Sequence, residues 1–439
     1  MSGPSSSASQ LLGVDRRVLA LALARMADAV GNSFLIIVLP LYIASGDLLL
    51  PGYEGAAVLG VPVTLELLIG FALSLFGFLN SLAQPFTGRL SDRTGRRKVY
   101  ILFGLLVLAA TSVAYAFVES YEALLLVRGL QGLGGAFVIP TTIALVNDLA
   151  RSDAERGGNF GVFNTFRLIG FGFGPIVAGL VVQAGPYAVP YATLSGFDAA
   201  FGVAVLGALV SFTLVTILIE EPEMAAADAS DDLSIAVVDD SAGRLFDPVF
   251  VLGIGTLFMA ISIALFATLQ EPINQRLDQG PTWFGVQFSA VVIANVVLQV
   301  PIGRAADRIG RRPFLLVGLA LLAPAVLAQG LVTTPVSMLV ARLVHGVSVA
   351  MVFAPSLAVA GDLAEAGESG TQLSVLTMAF GFGTAVGPLV SGALFGYGFV
   401  VPFAVGAVLA IVALVLVLTQ VEETLEGAIS IETFLDRAE

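Results

Sequence analysis

Apolar residues occupy this chain in long blocks separated by short polar stretches, and the blocks approach or exceed the roughly 20 residues a helix needs to cross a bilayer. They predict spans at 18–44, 64–87, 99–118, 124–147, 162–182, 198–219, 249–270, 284–303, 314–332, 336–360, 372–395 and 401–420. The runs are continuous rather than alternating at every second residue, so they do not describe the strands of a membrane barrel. In lipid each backbone N–H and C=O must find its partner within the segment, which makes the spans helices.

The polar punctuation repeats. A shift of 215 residues lays 70–97 on 285–312 and matches Gly70, Ser74, Asn80, Gln84, Gly88, Arg89, Asp92, Arg93, Gly95, Arg96 and Arg97 with identical residues. A shift of 214 lays Arg128, Gly132, Ala136 and Asp148 on Arg342, Gly346, Ala350 and Asp362, and a shift of 213 lays Gly174 and Pro175 on Gly387 and Pro388. Parallel repeats of six spans with a site between them are one architecture of secondary transporters. The expected fold is an all-α integral membrane protein of 12 transmembrane helices in two pseudo-symmetric six-helix bundles. Its expected parts are an N-terminal tail (1–17), a first bundle (18–219), an acidic linker (220–248), a second bundle (249–421) and a C-terminal tail (422–439).

Composition agrees with this reading: 57% of residues are hydrophobic and 12% charged. Of the 20 Lys and Arg, Arg25, Arg128, Arg167 and Arg342 fall inside spans and Arg276 on one side, leaving the rest on the side of the amino terminus. Both termini are therefore expected in the cytoplasm of a cell-membrane protein. The first span is too long for a signal-peptide core and follows Arg16 and Arg17 without a small-residue cleavage site, so it is expected to be retained. The acids cluster outside the spans, at Glu220, Glu221, Glu223, Asp228, Asp231, Asp232, Asp239 and Asp240 and again at Glu422, Glu423 and Glu426. With Lys98 the only lysine and a net charge of −13, the surface suits a high-salt cytoplasm, although GC-driven use of arginine gives the same pattern. Without cysteine there is no disulfide or thiolate chemistry. No nucleophile paired with a base, metal-ligand cluster or P-loop is apparent, so neither an enzyme nor a cofactor is expected. Nor is nucleic acid, since the only basic runs are two short loops.

Those loops carry the most specific motif. The stretch after the second span reads GRLSDRTGRRK (88–98), and after the eighth GRAADRIGRRP (303–313). Gly-x-x-x-Asp-Arg-x-Gly-Arg-Arg resembles the signature loop of the major facilitator superfamily, and the resemblance extends over residues 18 to 421. It implies a gate that holds one access state, built from Gly88, Asp92, Arg93, Gly95 and Arg96 and from Gly303, Asp307, Arg308, Gly310 and Arg311. Physically, Gly88 permits close helix approach, Asp92 can pair with an arginine, and Gly95 permits a tight turn. The same arginines also enforce topology and attract anionic lipid.

Three further motifs narrow the resemblance to the drug/proton antiporters. RGLQGLGGAFVIP (128–140) resembles the Arg-x-x-Gln-Gly motif of proton-coupled drug efflux and puts Arg128, Gln131 and Gly132 on one helix face. GFGFGPIVAG (170–179) resembles the Gly-x-x-x-Gly-Pro-x-x-Gly-Gly motif of antiporters, with Ala178 in place of the first of the paired glycines. Gly170, Gly174 and Ala178, four apart, give a smooth ridge bent at Pro175 and followed by Gly179, repeated by Gly383, Gly387, Pro388 and Ser391, which reads as a packing pivot between the halves. ARMADAVGNSFLIIVLP (24–40) resembles the first helix of tetracycline-type antiporters. Asp28 lies roughly 16 Å along that helix, near mid-membrane, with Arg25 and Asn32 on its face. An ionisable side chain at such depth is a functional candidate by default; the competing role for Arg25 and Asp28 is a static pair that orients the helix.

Asn164, Arg167 and Arg342 complete the polar groups expected to line the proton-coupling and substrate cavity. His345, the only histidine, stands where the fourth span has Gln131 and can titrate or pack. The function so implied is a monomeric secondary transporter whose partners are a small-molecule substrate, protons and the bilayer. The expected mode is proton antiport exporting an amphipathic compound or metabolite. Alternatives are a symporter or uniporter for a sugar or organic acid, and a sensor that binds without transporting.

Overall fold

Several helices start at a residue able to satisfy the exposed amides of a first turn. Asp15 accepts from the Arg17 N–H at 2.8 Å, and Ser120 from that of Ala123 at 3.3 Å. Ser195 with Asp198, and Thr334 with Ser337, form reciprocal capping boxes. Asp247 caps a helix that opens with Pro248, a residue whose missing N–H costs nothing there. The computed structural model of the chain describes residues 10–11, 14–53, 55–150, 153–190, 192–220, 245–363 and 369–425. The expected linker over 221–244 and the expected tails over 1–9, 12–13 and 426–439 lie outside the described residues.

The described residues form thirteen α-helices: α1 (Arg16–Ala44), α2 (Leu65–Thr94), α3 (Arg97–Ala114), α4 (Tyr121–Asp148), α5 (Asp153–Ala184), α6 (Gly196–Leu218), α7 (Pro248–Thr268), α8 (Gln270–Leu277), α9 (Pro281–Ile309), α10 (Arg311–Leu331), α11 (Pro335–Asp362), α12 (Ser369–Phe395) and α13 (Val401–Gln420). All but α8 are long and apolar enough to cross a membrane, and they coincide with the 12 expected spans. Large apolar side chains stay exposed along them, Phe86, Leu126, Leu206, Ile217, Val297 and Val408 among them, as they do where hydrocarbon replaces water.

The signature stretches are not loops. The spans expected to end at 87 and 303 continue as helix through Thr94 and Ile309, and only Gly95–Arg96 and Gly310 break the chain. Gly95 has φ +64° and Gly310 φ +129°, so the stop is set by backbone that glycine alone adopts readily. Hydropathy falls at the first charged residue, whereas Arg and Leu are good helix formers and carry the helix onward.

Contacts divide the chain into two compact units: Met1–Pro51, Phe78–Ser230 and Gly280–Gly285 in the first; Gly52–Gly77, Asp231–Gln279 and Val286–Glu439 in the second. This division cuts α2 after Gly77 and α9 after Gly285. Inside the first unit α1 packs on α5 and α6, and α3 on α4 and α6; inside the second, α7 packs on α12 and α13, and α10 on α11 and α13. The second arrangement repeats the first helix for helix. One buried apolar cluster of the first unit joins Val18, Leu21, Ile101, Leu105, Val138, Leu145, Phe163 and Val215.

Candidate functional site

In the first unit, α1 turns Arg25 and Asp28 to one face, where the guanidinium and the carboxylate form an ion pair. Both are buried, Asp28 with 4% of its surface exposed. Two cavities flank the carboxylate, each of about 10 Å³, enough for one water molecule. The first lies among Arg25, Asp28, Thr142 and Ser211, walled by Leu21, Ile101, Val138 and Val215. The second lies among Asp28, Asn32, Ser112 and Gln131. Beyond it, Gln131 Oε1 accepts from Arg128 Nη1 at 2.6 Å and from the Tyr115 hydroxyl at 3.0 Å. The structure therefore brings Arg25, Asp28, Asn32, Gln131 and Arg128 into one connected polar region inside the bundle. Arg167 makes a separate pair on α5, donating from Nε and Nη2 to Asn164 Oδ1 at 3.0 and 2.8 Å.

Arg342 and His345 belong to a network of the second unit. Arg342, fully buried, donates to the Gln287 carbonyl at 3.1 Å and to Gln329 Oε1 at 3.3 Å, and its guanidinium lies 4.1 Å from the centre of the Phe266 ring. Because arginine only donates, the Gln329 amide must present its oxygen to Arg342 and its nitrogen to His345 Nδ1, at 3.1 Å. Nδ1 is then an acceptor, and Nε2 carries the proton toward Ser262 Oγ at 3.2 Å, whose own hydrogen goes to the Met259 carbonyl at 2.6 Å. Every polar atom of the imidazole is used. Tyr115, Gln329 and Ser262, which complete these networks, were not singled out by sequence. The shift of 214 that superposes Arg128 on Arg342 also lays Tyr115 on Gln329, and that was the available signal.

At the first signature stretch the operative arginine is Arg97 rather than the expected Arg93 or Arg96, whereas at the second it is Arg311, which was among those expected. In the first copy Arg97 forms ion pairs with Asp92 and, at 3.1 Å, with Asp148, and donates to Ser91 Oγ at 2.7 Å. In the second copy Arg311 pairs with Asp362 and, at 3.4 Å, with Asp307, and donates to the Ala358 carbonyl at 2.9 Å. Arg93, Arg96 and Arg308 are exposed. A methyl group at Gly88 would meet only Pro140, at 3.9 Å, and one at Gly303 nothing within 4 Å, so close approach is not what these glycines provide. Gly104 provides it instead, 2.7 Å from the Gly134 carbonyl by the same measure.

A brace of the second copy was also unforeseen. Glu423, just past α13, accepts from the Arg312 N–H at 2.9 Å and from the Thr424 and Leu425 N–H groups at 3.1 Å, while the Thr424 hydroxyl donates to Asp362 at 2.7 Å.

The glycine ridge corrects another expectation. Gly170 and Gly174 face α1, against Met26, Ala29, Val30 and Ser33, and Gly383 and Gly387 face α7, against Leu257, Ala260, Ile261 and Ala264. These four thus join helices of the same sequence half. Contact with a helix of the other sequence half comes from the far end of the ridge: Pro175 and Gly179 meet Gly285 and Pro281 within the first unit, while Pro388 and Gly392 meet Gly70 and Glu66 within the second. In each ridge the proline lies where the stretch facing the first of these partners gives way to that facing the second.

Comparison with known proteins gives the following. The family model described as Major Facilitator Superfamily matches residues 21–269 and 250–433. The chain is 33% identical to the vesicular acetylcholine transporter of Tetronarce californica over 30% of its own length and 25% of that relative's. It is 34% identical to citrate exporter 1 of Aspergillus niger over 25% of the chain and 21% of that relative. An MFS-type transporter of Methanocaldococcus jannaschii is 25% identical over 55% of the chain and 60% of its own. Matched stretches thus span less than two thirds of these relatives. Among solved structures, the human organic anion transporter TETRAN superposes with a TM-score of 0.63 at 22% identity, covering 92% of this chain and 99% of that one. A bacterial homolog of the human lysosomal transporter Spinster gives 0.71 at 14% identity, covering 91% and 95%. At these identities the likeness is one of fold.

Proposed function

The chain belongs to the major facilitator superfamily, and on that premise we propose that it is a secondary active transporter, a proton-coupled antiporter that exports a small amphipathic compound or metabolite by alternating access. The observation that carries this reading is Asp28: a carboxylate deep in a membrane-spanning helix, paired to Arg25 and flanked by two water-sized cavities. Burial makes its charge costly and Arg25 compensates it, so opening or closing its surroundings shifts the balance between the protonated and ionised forms. Arg128, joined to the same region through Gln131, is the second coupling residue. The signature copies, tied by Arg97 and by Arg311, act as the gates. The tetracycline-type resemblance of α1 supports drug-like export, and the arginine distribution supports a cell membrane with both termini in the cytoplasm.

The test uses proteoliposomes with an internal pH dye, challenged with lipophilic cations, sugars and organic acids. Protons moving against a hydrophobic compound are the expected result, and Asp28→Asn should abolish gradient-driven flux while leaving substrate exchange measurable. Gradient-driven flux retained in that variant would remove Asp28 from coupling.

A second reading, uptake of an organic acid with protons, draws on Arg167, whose described polar partner is the neutral Asn164 and whose charge is therefore available to a carboxylate. Protons moving with an organic acid in the same assay would favour it.

A further inference from the structure

The two cavities at Asp28 differ from ordinary packing gaps in what lines them. A buried water needs about 10–15 Å³ and two to four polar partners. Each cavity offers about 10 Å³ and four polar side chains, Arg25, Asp28, Thr142 and Ser211 on one, Asp28, Asn32, Ser112 and Gln131 on the other.

The internal repeat supplies a control. Glycine contacts fix the register: Gly170 on Met26 and Ala29 matches Gly383 on Leu257 and Ala260, and Gly104 on Phe137 and Val138 matches Gly318 on Met351 and Val352. Likewise the contact of Gly31 with Ala204 matches that of Gly406 with Ser262. In this register Asp28 becomes Met259, Asn32 becomes Ile263, Ser112 becomes Val326 and Ser211 becomes Ala413. At these four places the second bundle carries apolar side chains, Met259, Val326 and Ala413 being buried there, whereas Arg25, Thr142 and Gln131 keep polar counterparts in Thr256, Ser356 and His345. The hydroxyls of Ser112 and Ser211 and the carboxamide of Asn32 are therefore not a requirement of the fold.

Resting on the reading that Asp28 carries the coupled proton, we propose that this proton enters and leaves the carboxylate through the interior of the first bundle, by way of one water held by Ser211 and Thr142 and another held by Ser112 and Gln131. The carboxylate takes a proton from the water on the loading side, which regains one from bulk, and the carboxylic acid gives its proton to the water on the unloading side. The route runs among α1, α3, α4 and α6. Ser112 and Ser211 are positioning residues: they hold water and do not touch the substrate.

The test needs no substrate. Infrared spectra of the protein in lipid, recorded after a pH step, follow the carboxyl band of Asp28, identified by its loss in Asp28→Asn. Ser112→Val and Ser211→Ala install the residues the second bundle uses at these places, and thermal melting confirms that the variants fold. We expect the Asp28 band to respond about tenfold or more slowly in the double variant, with the wild-type rate kept by Ser211→Thr, which retains the hydroxyl. Wild-type rates in the double variant would overturn the water route while leaving Asp28 as the coupling group. A Ser211→Thr rate as slow as that of Ser211→Ala would assign the effect to packing and overturn it equally. A spectrum without any Asp28-dependent response would overturn the coupling reading and the route together.

Discussion

The two bundles share a skeleton and differ in what it encloses. Gly170 and Gly174 seat α5 on α1 as Gly383 and Gly387 seat α12 on α7, and a buried arginine occupies the same turn of α4 and α11, with Gln131 or His345 one turn on. Yet the first encloses an ion pair and space for water, whereas the second encloses a network in which each imidazole nitrogen has a partner. Duplication fixed the helix contacts, where backbone meets backbone and little can change. Side chains inside were less constrained, and the buried carboxylate with its ion pair settled on one side. On the proposed reading, the first bundle changes its proton count and the second serves as its reference.

Substitutions at matching places in the two bundles put this contrast to the test. Asp28→Leu leaves Arg25 buried without its carboxylate and should cost about 3–5 kcal/mol, whereas Met259→Leu at the matching place should cost under about 1.5 kcal/mol. Equal losses of thermal stability in the two variants would erase the contrast. Gly170→Leu and Gly383→Leu should both destabilise, by about 1–3 kcal/mol each and by similar amounts, since both glycines press on the backbone of the neighbouring helix; unequal melting shifts would show that the skeleton is not shared. Arg97→Gln and Arg311→Gln, at part-exposed ion pairs, should each cost about 1 kcal/mol or less and slow transport more than they weaken substrate binding. Arg96→Gln, at an exposed side chain, should stay within about 0.5 kcal/mol with transport unchanged, and a slowed Arg96 variant would return the gate to the arginine expected from the motif.

Much of the architecture was legible because a bilayer imposes a simple rule. All the spans, the duplication and the paired positions of Arg128 and Arg342 follow from block length and repeat shift. The side chains were legible only where distance along one helix decides contact, as for Arg25 with Asp28 and for Asn164 with Arg167. Choosing Arg97 over Arg96 required the direction in which the chain leaves Gly95. The facing of Gly170 and Gly174 toward α1 required helix rotation, which a smooth ridge does not reveal. Tyr115 sits in a single turn of 3-10 helix just past α3, where sequence places the end of a span rather than a partner for Gln131. In the signature stretches, charge marked the membrane boundary but not the helix end, since a helix can leave hydrocarbon without unwinding.

The position of Glu423 has a consequence for the order in which the chain assembles. The first signature copy is complete once Asp148 has been synthesised, because Asp92, Arg97 and Asp148 all lie in α2, α3 and α4. Its twin, Arg311 with Asp307 and Asp362, is complete with α11, but its brace waits longer: the Arg312 N–H is capped by Glu423, and Asp362 is bridged by Thr424, both beyond α13. A nascent chain therefore holds a finished first latch through most of its elongation and acquires the brace of the second only when the twelfth span has emerged. Until then the second bundle lacks that brace on α10 and α11, and a ribosome pause ahead of α13 would prolong the interval in which that bundle is most exposed to misassembly.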